Sequence, residues 1–142
     1  MFSDPKSVTR ISSLGAGPIG GGWTAHFLAR GYDVTAYLHD KNEINSFMAI
    51  LKTAWVSLEE LGLAPGASMD RLRIVTDLEE ALEGADFVQE SGPERLEVKQ
   101  ELYSEMGRLL PPSIIIGSST SGLMMSDIPV SYTHLTLPTT ML

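Results

Sequence analysis

The most constraining feature of the chain is the passage "VTRISSLGAGPIGGGWTAHFLARG". A short β-type run, Val8 to Leu14, leads directly into a glycine cluster, and the cluster opens a helical segment ending near Arg30 with Gly31 as its cap. Within it, Gly15 to Gly20 reads G-x-G-x-x-G. Taken alone such a pattern is weak. Placed after a strand, at the start of a helix and before a second strand ("VTAYL", Val34 to Leu38), it is the signature of a turn that cradles a dinucleotide. Gly15 permits the tight turn, Gly17 lets the backbone approach a pyrophosphate, and Gly20 lets helix and sheet pack closely. Pro18 is compatible with the first helical turn, where an N–H has no partner. A structural glycine turn that binds something else is the alternative.

The remainder repeats the same grammar. Ile44, Phe47, Met48, Leu51, Trp55, Leu58 and Leu61 fall at steps of three and four, an amphipathic helix of about five turns stopped by Gly62. "RLRIVT" is a third strand, and Thr76 with Glu79 has the spacing of a capping box for the helix "DLEEALEG". "ADFVQE" is a fourth strand. Pro93 opens a helix running to about Leu110, Pro111 and Pro112 stop it, and "SIIIGSS" is a fifth, apolar strand. Strands alternating with helices predict an α/β fold: a Rossmann-type doubly wound parallel sheet, truncated after about the fifth strand.

The 142 residues suit one domain, and 43% hydrophobic with 20% charged residues is ordinary globular composition. No apolar run is long enough to span a membrane, and no secretory leader is visible. With no cysteine, thiolate metal sites, disulfides and thiol nucleophiles are excluded, and a cytoplasmic location is expected. A net charge of −8 disfavours nucleic acid and anionic membranes as partners. It does not exclude one pyrophosphate held by backbone N–H groups. No metal site is expected.

An acidic residue about 20 residues beyond the glycine turn receives the adenosine ribose in such folds. Asp40, in "LHDKN", is the nearest candidate, with a solvated loop aspartate as the alternative. Lys41 is the only cation in that turn, so NAD is favoured over NADP. The expected cofactor residues of the turn itself are Gly15, Ala16, Gly17, Pro18, Ile19 and Gly20.

From about Val8 to Ile128 the chain resembles a known family. "LGAGPIGGGW", "LEEALEGADFVQESGPERLEVKQEL" and "IIIGSSTSGL" resemble the NAD-binding half of the L-3-hydroxyacyl-CoA dehydrogenase superfamily. "AWVSLEELGLAPGASMDRLRIV" points within it to the L-carnitine 3-dehydrogenases. The resemblance implies that Glu90 and Glu94 lie near the cofactor's ribose, with Lys99 one helical turn further, and that Ser118 is a candidate contact for the substrate hydroxyl. Glu90 and Glu94 have an alternative role favouring the following helix through its dipole, and "SSTSG" has one as a hydroxyl-rich turn.

The implied activity is that of an NAD-dependent dehydrogenase oxidising the 3-hydroxyl of a small hydroxy acid, L-carnitine to 3-dehydrocarnitine. An L-3-hydroxyacyl-CoA dehydrogenase and a non-catalytic NAD(H)-binding module are the alternatives. The full-length parent is expected to be a homodimer.

Two departures accompany the resemblance. Counted without gaps, the family's ribose aspartate falls on Leu38. The family's catalytic histidine belongs to a stretch beyond the matched region, so no catalytic residue is expected in this chain, which alone should be inactive. His26, His39 and His134 do not substitute: the first lies on a helix, the second beside the presumed adenosine, and the third in the tail. Val130 to Thr139, "VSYTHLTLPT", resembles a reading frame of a transposon-end sequencing adaptor. The expected division is therefore an incomplete NAD-binding domain over 1–129 and a non-native tail over 130–142, a flexible natural extension being the alternative. Ile114 to Ile116 would then form an exposed sheet edge.

Overall fold

The computed structural model describes residues 7–92, 96–118 and 135–138. Their order is β1 (Arg10–Leu14), α1 (Pro18–Ala29), β2 (Asp33–Tyr37), α2 (Ile44–Leu61), β3 (Leu72–Val75), α3 (Leu78–Leu82), β4 (Phe87–Glu90), α4 (Leu96–Leu109), β5 (Ile115–Ser118) and β6 (Leu135–Pro138). All strand pairs are parallel, in the order β3-β2-β1-β4-β5-β6. The chain winds outward from β1 to β3, then returns to lay β4 on the other side of β1. The crevice at this reversal is where open α/β sheets bind ligands.

Each face of the sheet is covered by a helical layer, which is why the strands read as nearly continuous apolar runs. On one face Ile11 and Val34 pack with Ala25, Phe27 and Leu28 of α1 and Leu51 of α2. On the other, Val88 and Ile116 pack with Ala81 and Leu82 of α3 and Tyr103 and Met106 of α4. The two helices of the first layer lie very close, because a Cβ on Gly21 would stand 2.6 Å from Ile50 Cγ2. Gly22 has open space at the same position, so close packing accounts for only one of the two additional glycines.

Three details differ from the sequence expectations. The N-cap of α3 is Asp77, whose carboxylate accepts the Glu80 amide at 3.0 Å, one residue later than the Thr76 box. Leu61, last in the apolar stripe of α2, is 83% exposed. Finally, the edge expected at β5 is covered: Leu135–Pro138 pairs with it, with a register shift between Ile116 and Ser118. Among the described residues no helix is long and apolar enough to cross a membrane.

Candidate cofactor site

The parallel register aligns the carboxyl ends of the central strands. Leu14 stands opposite Tyr37 on one side and Glu90 on the other, and Glu90 stands opposite Ser118. The turns that follow Leu14, Tyr37 and Glu90 therefore start from one edge of the sheet.

The glycine turn leaves β1 at that edge. Gly15 has φ +134°, and a Cβ on it would stand 2.5 Å from the Ser91 carbonyl oxygen; a Cβ on Gly20 would stand 2.3 Å from the Gly15 carbonyl oxygen. Both positions are closed by backbone. Gly17 differs, having no atom within 4 Å of its missing Cβ. It is the N-cap of α1, with no side-chain cap and no acid in the first turn. The first turn of α1 thus has N–H groups without an intrahelical partner and open space at the Gly17 Cβ position, an arrangement compatible with an anion. Ile19, 59% exposed, stands on the same turn.

From the turn a cleft of about 620 Å³ extends along the sheet edge. Leu14, Gly15, Ala16 and Gly92 form its floor, and Tyr37, His39 and Glu43 its wall at the β2 end. Leu78 of α3 and Val98, Glu101, Leu102 and Glu105 of α4 complete it. Its size is that of a small-molecule site, and its apolar walls suit a flat aromatic group.

Asp40 is not among the lining residues. Its carboxylate accepts the Asn42 amide at 2.9 Å while Glu43 Oε1 accepts the Asp40 amide at 3.1 Å, a reciprocal capping box around the 3₁₀ turn Lys41–Glu43. Leu38, where the gapless count puts the family's aspartate, is wholly buried with Ala36 and Phe47.

Glu90 is completely buried at the end of β4, yet all its capacity is used. Oε2 accepts the Lys99 ammonium and the Gly92 amide, each at 2.6 Å; Oε1 accepts the Tyr103 hydroxyl at 2.9 Å and the Ser118 hydroxyl at 3.0 Å. Lys99 also reaches the Gly92 carbonyl at 3.4 Å. Burial first, and then the Glu90 charge, push the Tyr103 hydroxyl far above the ordinary phenol range, so it is a permanent donor here.

Glu90, Lys99 and Ser118 are thus brought together, as one closed network behind the 91–92 turn rather than as separate arms into the cleft. Glu94 lies outside the described residues. Sequence reading missed Tyr103, whose signal was its spacing of four from Lys99, one turn on the same helix face. It also missed the cleft positions of Tyr37 and Glu43. Among the described residues no group of three or more His, Asp or Glu side chains could hold a metal ion.

A glycine turn at a helix N-terminus, set at the reversal point of a doubly wound sheet beside an elongated cleft, defines a dinucleotide-binding domain. The particular kind follows from comparison. Residues 10–136 match the family "3-hydroxyacyl-CoA dehydrogenase, NAD binding domain", and the chain belongs to it. It is an NAD-binding domain of an oxidoreductase family.

L-carnitine dehydrogenase of Streptomyces coelicolor is 47% identical over 126 residues, 89% of this chain and 40% of that protein. L-carnitine dehydrogenase of Streptomyces griseus is 49% identical over 123 residues, 87% of this chain and 37% of its own length. The chain therefore spans about two fifths of the curated relatives it matches. Among solved structures, a diketoreductase superposes with a TM-score of 0.80 at 26% identity, covering 92% of this chain and 49% of that one.

Proposed function

We propose that the chain is the cofactor-holding portion of an NAD-dependent dehydrogenase that oxidises the 3-hydroxyl of L-carnitine to 3-dehydrocarnitine. The observation that carries this reading is the helix N-terminus left open at Gly17, within a domain nearly half identical to L-carnitine dehydrogenases along most of its length.

In this reading the glycine turn from Gly15 to Gly20, through the free backbone N–H groups at the start of α1, holds the pyrophosphate. The adenine lies between the apolar walls formed by Leu78, Val98 and Leu102, and its ribose meets the carboxyl end of β2, near Asp40. Glu90 and Lys99 fix the 91–92 turn beside the nicotinamide ribose. Ser118 is the residue the family resemblance offers for the substrate hydroxyl, although here its own hydroxyl is buried and donates to Glu90. Bound NAD supplies the hydride acceptor; these side chains bind and orient. The base that takes the hydroxyl proton comes from the rest of a longer parent, a cytoplasmic homodimer.

Assay of the full-length gene product with L-carnitine and with a 3-hydroxyacyl-CoA tests the substrate. Carnitine turnover is expected, and turnover of the thioester alone would replace it with the second reading, which the family's own description favours. Saturable NADH binding without turnover of either substrate would instead favour a non-catalytic NAD(H)-binding module.

The division into a domain over 1–129 and a foreign tail over 130–142 belongs to the same proposal. Reading the locus from unfragmented DNA tests it, and a stop codon directly after Leu142 would remove it.

A further inference from the structure

The adenosine ribose presents two hydroxyl donors, and a dinucleotide site meets them with a carboxylate at the end of the second strand. Two positions that sequence counting offers are otherwise engaged here. Leu38 is apolar, wholly buried, and its amide is bound to the Val75 carbonyl at 3.0 Å. Asp40 turns its carboxylate to the Asn42 amide and does not line the cleft. The side chains that line the cleft at this end are Tyr37, His39 and Glu43, of which only Glu43 is a carboxylate.

Glu43 is also held in place. Its Oε1 takes the Asp40 amide at 3.1 Å, which fixes the carboxylate at the cleft wall and leaves Oε2 to a ligand. We propose that Glu43, rather than Asp40, accepts the adenosine ribose hydroxyls and excludes a 2′-phosphate, making it the residue that selects NAD over NADP. This assignment rests on the cofactor reading above.

The surroundings agree in sign. Burial, then the negative charges of Asp77 and Glu43, raise the Tyr37 hydroxyl above its usual range, so two carboxylates act on this corner of the cleft, with Lys41 the cation of the same turn. A 2′-phosphate would bring roughly two further negative charges there. A ribose diol brings none and donates two hydrogen bonds. A hydrogen bond to a charged acceptor is about twice as strong as a neutral one, so the carboxylate matters to affinity as well as to exclusion.

The test titrates the purified chain with NADH and with NADPH, by calorimetry and by the fluorescence of Trp23 and Trp55, in wild type, Glu43→Gln, Glu43→Lys and Asp40→Asn. Glutamine keeps an oxygen for the Asp40 amide, as capping boxes allow. The readout is the ratio of the two affinities, which partial unfolding does not mimic. Wild type is expected to prefer NADH; Glu43→Gln should shrink that preference about tenfold, and Glu43→Lys should shift it further toward NADPH. An unchanged ratio in both Glu43 variants, or a shift that follows Asp40→Asn instead, overturns the assignment and leaves cofactor binding standing. Failure of wild type to bind NADH overturns the cofactor reading and this assignment together.

Discussion

The Lys99 ammonium lies 2.6 Å from Glu90 Oε2, with both side chains sealed from solvent. Lys99 comes from α4 and Glu90 from β4, so the ion pair joins one helix to the centre of the sheet. Two Glu90 partners, Tyr103 and Ser118, add the next helical turn and the next strand. The cost of burying two charges is offset only while every member is present.

Lys99→Met is accordingly expected to lower stability by about 3–5 kcal/mol, since it strands a buried carboxylate. Adding Glu90→Gln to Lys99→Met should restore part of the loss, because the stranded charge is gone. Urea unfolding of the two single variants and the double variant measures this. Additive losses would show that the pair does not act as a unit.

The three motif glycines should separate by what they touch. Gly17→Ala meets nothing in the protein, so its urea midpoint should stay near wild type while NADH affinity falls at least tenfold. Gly15→Ala and Gly20→Ala meet backbone, and Gly15 also needs a positive φ, so both should lose about 2 kcal/mol or more of stability. Paired unfolding and binding curves decide it; a destabilised Gly17→Ala that binds NADH normally would reverse the assignment.

Asp86, at the opposite end of the sheet, is expected to contribute to acid stability. Burial acts to raise its pKa, but hydrogen bonds from the Thr9 and Arg10 amides and the Thr9 hydroxyl, with the Arg10 charge, bring it below the usual carboxylate value. A lowered folded-state pKa gives stability that is complete above the unfolded value of about 3.9 and lost as pH falls through the folded value. Asp86→Asn should therefore be less stable than wild type at neutral pH, with the gap closing below about pH 4. A gap that does not depend on pH would refute the charge contribution.

Tyr103 makes the corresponding alkaline prediction. Its folded-state pKa is raised, so its share of stability is present below the unfolded value of about 10 and falls as pH rises beyond it. Tyr103→Phe should flatten that fall while costing about 1–2 kcal/mol at neutral pH through the lost hydrogen bond to Glu90. Ultraviolet titration of folded wild type and folded Tyr103→Phe should differ by one late-ionising phenol.

The fold was legible because its signals are local. The glycine turn, the stripe from Ile44 to Leu58 and the short β-runs each declare themselves within a few residues, and alternation then fixes a parallel sheet. The α3 cap was displaced by one residue because Thr76 and Asp77 are both good caps, and only geometry chose between them.

The network was harder to read. Lys99 and Tyr103 look like a polar helix face until one sees that Glu90, from another element, lies beneath them. Asp40 has the right chemistry and nearly the right spacing, but its carboxylate is drawn back to the chain by the Asn42 amide. No one-dimensional pattern shows which of two nearby acids looks outward.

The contact between Gly15 and the Ser91 carbonyl couples two turns that lie far apart in the sequence. Loops of α/β domains ordinarily accept insertions and exchanges independently of one another. These two cannot, because the room one turn occupies is the side chain the other gave up. A turn transplanted here without glycine at position 15 would thus have to bring its own 91–92 turn, and a recombination boundary between the two is safe only where that glycine is kept.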